Sequence, residues 1–172
     1  MIGLGDRNAN IFVYTANRPP LDTYQQLDTF AHIKQGEIST IAEQTGNHWR
    51  KIFNVYAKLM FELSANGHNT WQELREQSLL QQGSKQALVF SPPCFDAKKL
   101  EQGHNNASVH IIMGKTYASS LNIAEQCLWL SPDFAINEKA QLIVCPYFDY
   151  RQLSNIKITQ LITLIKAMRM KR

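Results

Sequence analysis

Trp49, Ile52, Phe53, Tyr56, Met60 and Leu63 recur at steps of three and four along the chain. That spacing predicts an amphipathic helix over about 48–65, with Asn47 as N-cap and Asn66-Gly67 at its end. A second helix opens at Thr70-Trp71-Gln72-Glu73, where threonine followed by glutamate three positions later forms a capping box. It should run to the neighbourhood of Gly83. Residues 21–33 read as helix, and 37–45 as a short helix closed by Gly46. At the far end Ile158, Leu161, Ile162, Ile165 and Met168 give an amphipathic helix with Ser154 as its cap.

Between these lie short apolar runs of a different kind. They are NIFVYTA at 10–16, QALVFS at 86–91, SVHIIM at 108–113, QCLWL at 126–130 and AQLIVC at 140–145. Each stops at or just before proline or glycine, as strands running into turns do. The runs are continuous rather than alternating, which implies a sheet covered on both faces. Helices interspersed with such strands predict one α/β domain over 1–172: three layers, α/β/α, on a largely parallel sheet of four to five strands. Ligands in such folds sit beyond the carboxyl ends of the strands, so the strand exits are where function is sought.

Charge changes this picture little. Eighteen Lys+Arg against 14 Asp+Glu give +4 and a pI near 9.0. The excess is all in the last turns, at Lys166, Arg169, Lys171 and Arg172. The body is formally neutral, so total charge alone makes no case for nucleic acid. Cations at a helix C-terminus also complement the helix dipole. Cys94, Cys127 and Cys145 show no CxxC spacing, which fits a reducing, cytoplasmic setting. No stretch is long enough to span a membrane, and no metal or cofactor motif stands out.

Three exits carry chemistry. The first is Ser91-Pro92-Pro93-Cys94-Phe95-Asp96. Phe95 can line a pocket, and Asp96 is either a catalytic carboxylate or the N-cap of a short helix over 97–102. Cys94 is a nucleophile only if a neighbour activates its thiol. The second is Met113-Gly114-Lys115-Thr116-Tyr117-Ala118. Its Gly-Lys-Thr is not a phosphate loop, because Val109 stands where that pattern needs glycine. Gly114 still permits close backbone approach, and Lys115 can contact a phosphate or simply be solvated. The third is Cys145-Pro146-Tyr147-Phe148-Asp149-Tyr150-Arg151. Pro146 shapes this loop. Tyr147 can stack on a base, Asp149 can orient a water, and Arg151 can hold a phosphate. Equally, Asp149 and Arg151 can be a structural pair. His104 is a weak acid/base candidate, and His110 reads as a sheet residue.

Leu88-Val89-Phe90 with its proline-bearing loop, Ile111 to Ala118, and Leu142-Ile143-Val144-Cys145-Pro146 followed by a helix resemble, in layout, the uracil-DNA glycosylase superfamily over about 85–168. In that family a strand-end loop positions water or reads the base, and the last proline-containing loop enters the DNA minor groove. The resemblance implies a shared fold and site position, with Gly114 and Pro146 carrying over. The GQDPYH or GxNPG signature of the first loop and the His-Pro-Ser or Asn-Pro-Ser of the last are not reproduced, which argues against base excision. The expectation is a diverged member that binds or processes a nucleobase or nucleotide, with no cofactor and no membrane partner. The rival expectation is a non-catalytic protein-interaction module on the same scaffold.

Overall fold

The structure is a computed structural model that describes residues 1–94 and 108–171. Phe95, Asp96 and His104, with the short helix expected over 97–102, lie outside the described residues.

The chain forms β1 (Gly3–Gly5), β2 (Ile11–Tyr14), α1 (Asp22–Gln25), β3 (Phe30–Ala31), α2 (Glu37–Thr45), α3 (Asn47–Leu63) and α4 (Trp71–Gln77). β4 (Gln86–Val89), β5 (Val109–Met113), α5 (Lys115–Ser120), a 3-10 turn at Ala124–Gln126, β6 (Leu128–Trp129), β7 (Ala135–Asn137), β8 (Leu142–Cys145) and α6 (Asn155–Met170) follow. The fold is mixed α/β. The sheet corrects the expectation of four to five largely parallel strands: among the described residues it has eight, in the order β3-β1-β4-β2-β5-β8-β7-β6. Its centre, β4-β2-β5-β8, is parallel. The β1–β4, β7–β8 and β6–β7 pairs are antiparallel.

The extra strands are short and poor in strand formers. β1 is Gly-Leu-Gly, and it is glycine because β4 lies against it. A Cβ on Gly3 would stand 2.3 Å from the Leu88 carbonyl oxygen, and one on Gly5 2.3 Å from that of Gln86. β3 takes residues expected to be helical. Helix α1 stops after one turn, and the Arg18 guanidinium satisfies carbonyls at and beyond its end, donating to Tyr24 O, Gln25 O and Leu27 O at 3.1, 3.0 and 2.8 Å. The expected helix from Thr70 does form, and Thr70 Oγ1 accepts from the Glu73 amide at 3.1 Å, but the helix ends at Gln77. Gly46, rather than Asn47, is the N-cap of α3.

Alternate residues of the central strands enter two cores. Ile11, Val13, Leu88, Ile111, Met113 and Ile143 face a large core shared with α2, α3, α4 and α6. Phe12, Tyr14, Ala87, Val89, Ile112 and Val144 face a smaller one capped by α5 and the 3-10 turn. Both faces are buried, which is why the strands read as unbroken apolar runs. His110 sits on the smaller-core side, with the Tyr14 hydroxyl 2.9 Å from Nδ1 and Phe12 stacked at 5.2 Å. Among the described residues, no helix is long and apolar enough to cross a membrane.

The connectivity places a crevice. From β2 the chain moves to β4 on one side, whereas from β5 it moves to β8 on the other. Connections running in opposite directions pack on opposite faces, as right-handed crossovers require. Accordingly α2–α4 join the large core and α5 the small one. The exits of adjacent β2 and β5 therefore diverge, and the space between them is the topological switch point where open α/β sheets hold ligands.

Candidate functional site

A cleft of about 710 Å³ opens at that point, beyond the carboxyl ends of β2, β5 and β8. Each strand supplies one wall.

From β2 come Ala16 and Asn17. Thr15 before them is fully buried, its amide bonded to Val89 O at 3.0 Å, so the turn leaves the sheet from a fixed point. From β5 come Gly114, Lys115 and Tyr117. Gly114 has φ +101°, a conformation that other residues avoid, and its amide bonds Cys145 O at 2.9 Å. A Cβ here would lie in ordinary contact with the Tyr147 ring at 3.5 Å, so it is the backbone conformation rather than space that calls for glycine. The Lys115 ammonium lies 4.7 Å from the centroid of Trp129, held over an aromatic face by cation–π attraction.

From β8 come Pro146 and Tyr147, then Arg151 from the following loop. The Tyr147 hydroxyl is 2.8 Å from His48 Nε2, and their rings stack at 5.8 Å. Side chains of Asn17 and Thr15 bond the same phenol. Burial raises its pKa above the ordinary tyrosine value, those two bonds oppose the rise, and the charge of Asp149 adds to it. Arg151 is two-thirds exposed. Lys157 on α6 and Asp133 also line the cleft, paired at 3.1 Å. Cys145 is buried, its thiol bonded to Pro146 O at 3.3 Å and its pKa pushed up by burial, so it is no thiolate nucleophile.

Gly114, Lys115, Pro146, Tyr147 and Arg151, drawn from two strand exits, thus line one cleft. Asp149 stands behind it. Its Oδ1 accepts from the Arg151 amide at 2.9 Å, and its Oδ2 lies 3.4 Å from Arg151 Nη2 and 3.3 Å from Lys51 Nζ. The Arg151 amide first, then the Arg151 and Lys51 side chains, hold this carboxyl below the usual range against an opposing cost of desolvation. It is an anionic anchor for Arg151, whose own pKa the pair raises. Cys94 is exposed and is not part of the cleft wall. Ser91 is structural, its hydroxyl accepting from Ile2 N at 2.9 Å. Phe95 and Asp96 lie outside the described residues.

Sequence reasoning passed over Asn17, Tyr117, His48 and the Asp133–Lys157 pair. Asn17 was within reach, because it begins the Asn17-Arg18-Pro19-Pro20 exit of a recognised strand. His48 was not, because nothing local ties it to a tyrosine 99 residues away. Among the described residues, no three His, Cys, Asp or Glu side chains gather into a metal site.

A family described as "Family of unknown function (DUF6942)" matches residues 2–166. No curated protein and no solved structure matches the chain.

Proposed function

The chain belongs to the DUF6942 family, and we propose that its cleft binds a nucleobase or nucleotide. One observation carries this reading: Lys115 and Arg151, brought from different strand exits, are both presented to a cleft that has Tyr147 in its wall. Two cations suit a phosphate, a planar guanidinium especially so. An aromatic wall suits a base. Asn17 adds a side-chain amide, which donates and accepts and can read a base edge. The volume is in the range of small-molecule sites, roughly 300–1,000 Å³.

The layout likeness to the uracil-DNA glycosylase superfamily is part of this proposal, with Gly114 and Pro146 as the positions that carry it. Asn17 also lines the cleft. In this reading Asn17 contacts the base or orients a water, Tyr147 stacks, and Arg151 and Lys115 take the phosphate.

A second reading, a non-catalytic interaction module, has one observation in its favour. Both described carboxylates at the cleft are engaged, Asp133 by Lys157 and Asp149 by Lys51 and Arg151. Thermal melts with free bases, uridine and thymidine monophosphates and short oligonucleotides separate the two. A ligand at about a hundred times its Kd adds about 2.7 kcal/mol, or about 5 °C or more for a chain of this size. The binding reading requires such a rise and its loss in Arg151→Gln and Lys115→Gln. No rise with any compound leaves the interaction module.

A further inference from the structure

Outside the cleft, α3 carries a polar stripe. Asn47, Arg50, Lys51, Asn54 and Lys58 recur at helical steps on one face, with no acid among them. They border a hollow of about 260 Å³ closed by Tyr150, a residue that is 56% exposed. Lys58 also borders a second hollow, of about 360 Å³, with Phe61 and Trp71. The two hollows therefore share a wall and form one track.

Cations and aromatics alternate along it. Lys51 and Arg151 lie 5.2 and 5.8 Å from the Tyr150 centroid. Lys58 and Arg75 lie 5.1 and 5.4 Å from that of Trp71. Of the nearby acids, Asp149 is spent on Lys51 and Arg151, and Glu76 on Arg75. Glu62, which lines the second hollow, accepts from the neutral Thr159 hydroxyl at 2.7 Å and is the one carboxylate among that hollow's lining residues. Arg50 and Lys58 have no carboxylate partner among the described residues. A formally neutral body thus concentrates positive charge beside the rings of the exposed Tyr150 and the half-buried Trp71.

We infer that this track binds single-stranded nucleic acid, with phosphates on Arg50 and Lys58 and bases on Tyr150 and Trp71. A membrane or an acidic peptide would use the cations but has no need of ring faces spaced between them, whereas stacking platforms inside a cationic groove are how single strands are held without sequence preference. The track also meets the cleft, since Tyr150 adjoins Arg151 and His48 shares α3 with Arg50. It names the polymer whose nucleotide the proposed cleft would receive, but it stands on its own residues.

The test is fluorescence anisotropy with a labelled oligothymidylate of about ten residues, titrated over a range of KCl. Each phosphate that a variant no longer neutralises lowers the log–log salt slope by about 0.7. The double variant Arg50→Gln/Lys58→Gln is expected to bind more weakly and to lose slope accordingly. Tyr150→Ala is expected to bind about fivefold more weakly or worse with an unchanged slope. Lys166→Gln/Lys171→Gln, at the basic end of α6, serves as control and should bind like the parent. Circular dichroism confirms that each variant is folded. Unchanged affinity and slope in the double variant overturn the inference. So does binding to phosphatidylserine vesicles without binding to the oligonucleotide. Track-dependent oligonucleotide binding with no thymidine monophosphate binding supports the track and sinks the cleft reading alone. Thymidine monophosphate binding without oligonucleotide binding does the reverse.

Discussion

The two ends of the parallel sheet each carry a hollow, and they use their polar groups in opposite ways. At the amino end, a groove of about 480 Å³ is bordered by His68, Ser78, Lys85, Gln86 and Arg169. Its side chains largely fix turns. Gln86 Oε1 accepts from the Leu80 amide at 3.3 Å, and the Ser84 hydroxyl from the Gln86 amide at 3.3 Å. His68 lies between Ser78 Oγ at 3.1 Å and Glu73 Oε1 at 3.7 Å, an order that mimics a nucleophile relay. Yet Ser78 Oγ also donates to Leu74 O at 3.2 Å, and Glu73 accepts from the Asn69 amide at 3.1 Å. Those partners make a clamp on both ends of α4. At the carboxyl end, Lys115 and Arg151 face the cleft while the bonding that fixes the wall lies behind, on Thr15, Gly114 and Asp149. Polar groups are paired at both hollows, but those at the amino end fix turns, whereas at the carboxyl end the paired Arg151 and Lys115 are exposed cations in the wall of an open cleft. Substitutions at the amino end should lower stability, and those at the carboxyl end should lower ligand binding.

A pair of glycines sharpens that contrast with the largest effects. Gly5 and Gly114 have nearly the same φ, +108° and +101°. A Cβ on Gly5 meets the Gln86 carbonyl oxygen at 2.3 Å, whereas one on Gly114 meets only the Tyr147 ring at 3.5 Å. Gly5→Ala is expected to cost about 4 kcal/mol, with a melting temperature lowered by about 10 °C or more. Gly114→Ala should cost about half as much, as backbone strain, and should weaken nucleotide binding by shifting the backbone that presents Lys115 to the cleft. Equal losses of stability would break the contrast.

Arg151→Gln comes next. It is expected to weaken nucleoside monophosphate binding about tenfold, as loss of a charge-assisted bond does. The melting temperature should move by no more than about 2 °C, because exposed ion pairs contribute little. Calorimetric titration beside a thermal melt reads both. A large drop in stability with intact binding would make Arg151 structural.

His68→Gln tests the clamp at the other end. Loss of its bonds to Ser78 and Glu73 should cost about 1 kcal/mol and leave nucleotide binding untouched. Any esterase-type activity abolished by this change would overturn the clamp reading.

The cleft was more legible in sequence than the sheet around it. Central strands announce themselves, since burial on both faces leaves Ile-Phe-Val-Tyr or Leu-Ile-Val-Cys unbroken. Their exits follow from the strands, so Lys115, Tyr147 and Arg151 could be named before they were seen together. Edge strands could not be seen. β1 is glycine because the neighbouring backbone leaves no room for a Cβ, which is the property that hides a strand from propensity. The Leu27–Ala31 stretch reads as helix because the guanidinium that satisfies carbonyls at and beyond the end of α1 comes from Arg18, several residues upstream. Asp149 is recognisable as charged and well placed, but its orientation depends on Lys51 and on the turn that presents the Arg151 amide. Both are tertiary facts.

Asp149 also supplies the smallest predicted effect. Its carboxyl is held below the usual range chiefly by the Arg151 amide, and then by the side chains of Arg151 and Lys51. A carboxyl that is more acidic when folded contributes stability above its unfolded pKa of about 3.9. That contribution fades as pH falls through the folded value, where the native state at last takes up the proton. Stability from this source is therefore level from pH 7 to about 5 and declines below about 4. Asp149→Asn should flatten that part of the acid limb, while lowering the melting temperature at pH 7 by only a few degrees. Nucleotide affinity should fall with it, because the group that aims Arg151 has lost its charge. His68→Gln leaves the Asp149 contacts untouched, so it should keep the part of the acid limb that Asp149 supplies. An unchanged limb in Asp149→Asn would place the acid sensitivity elsewhere and remove Asp149 as the anchor that distinguishes the carboxyl end.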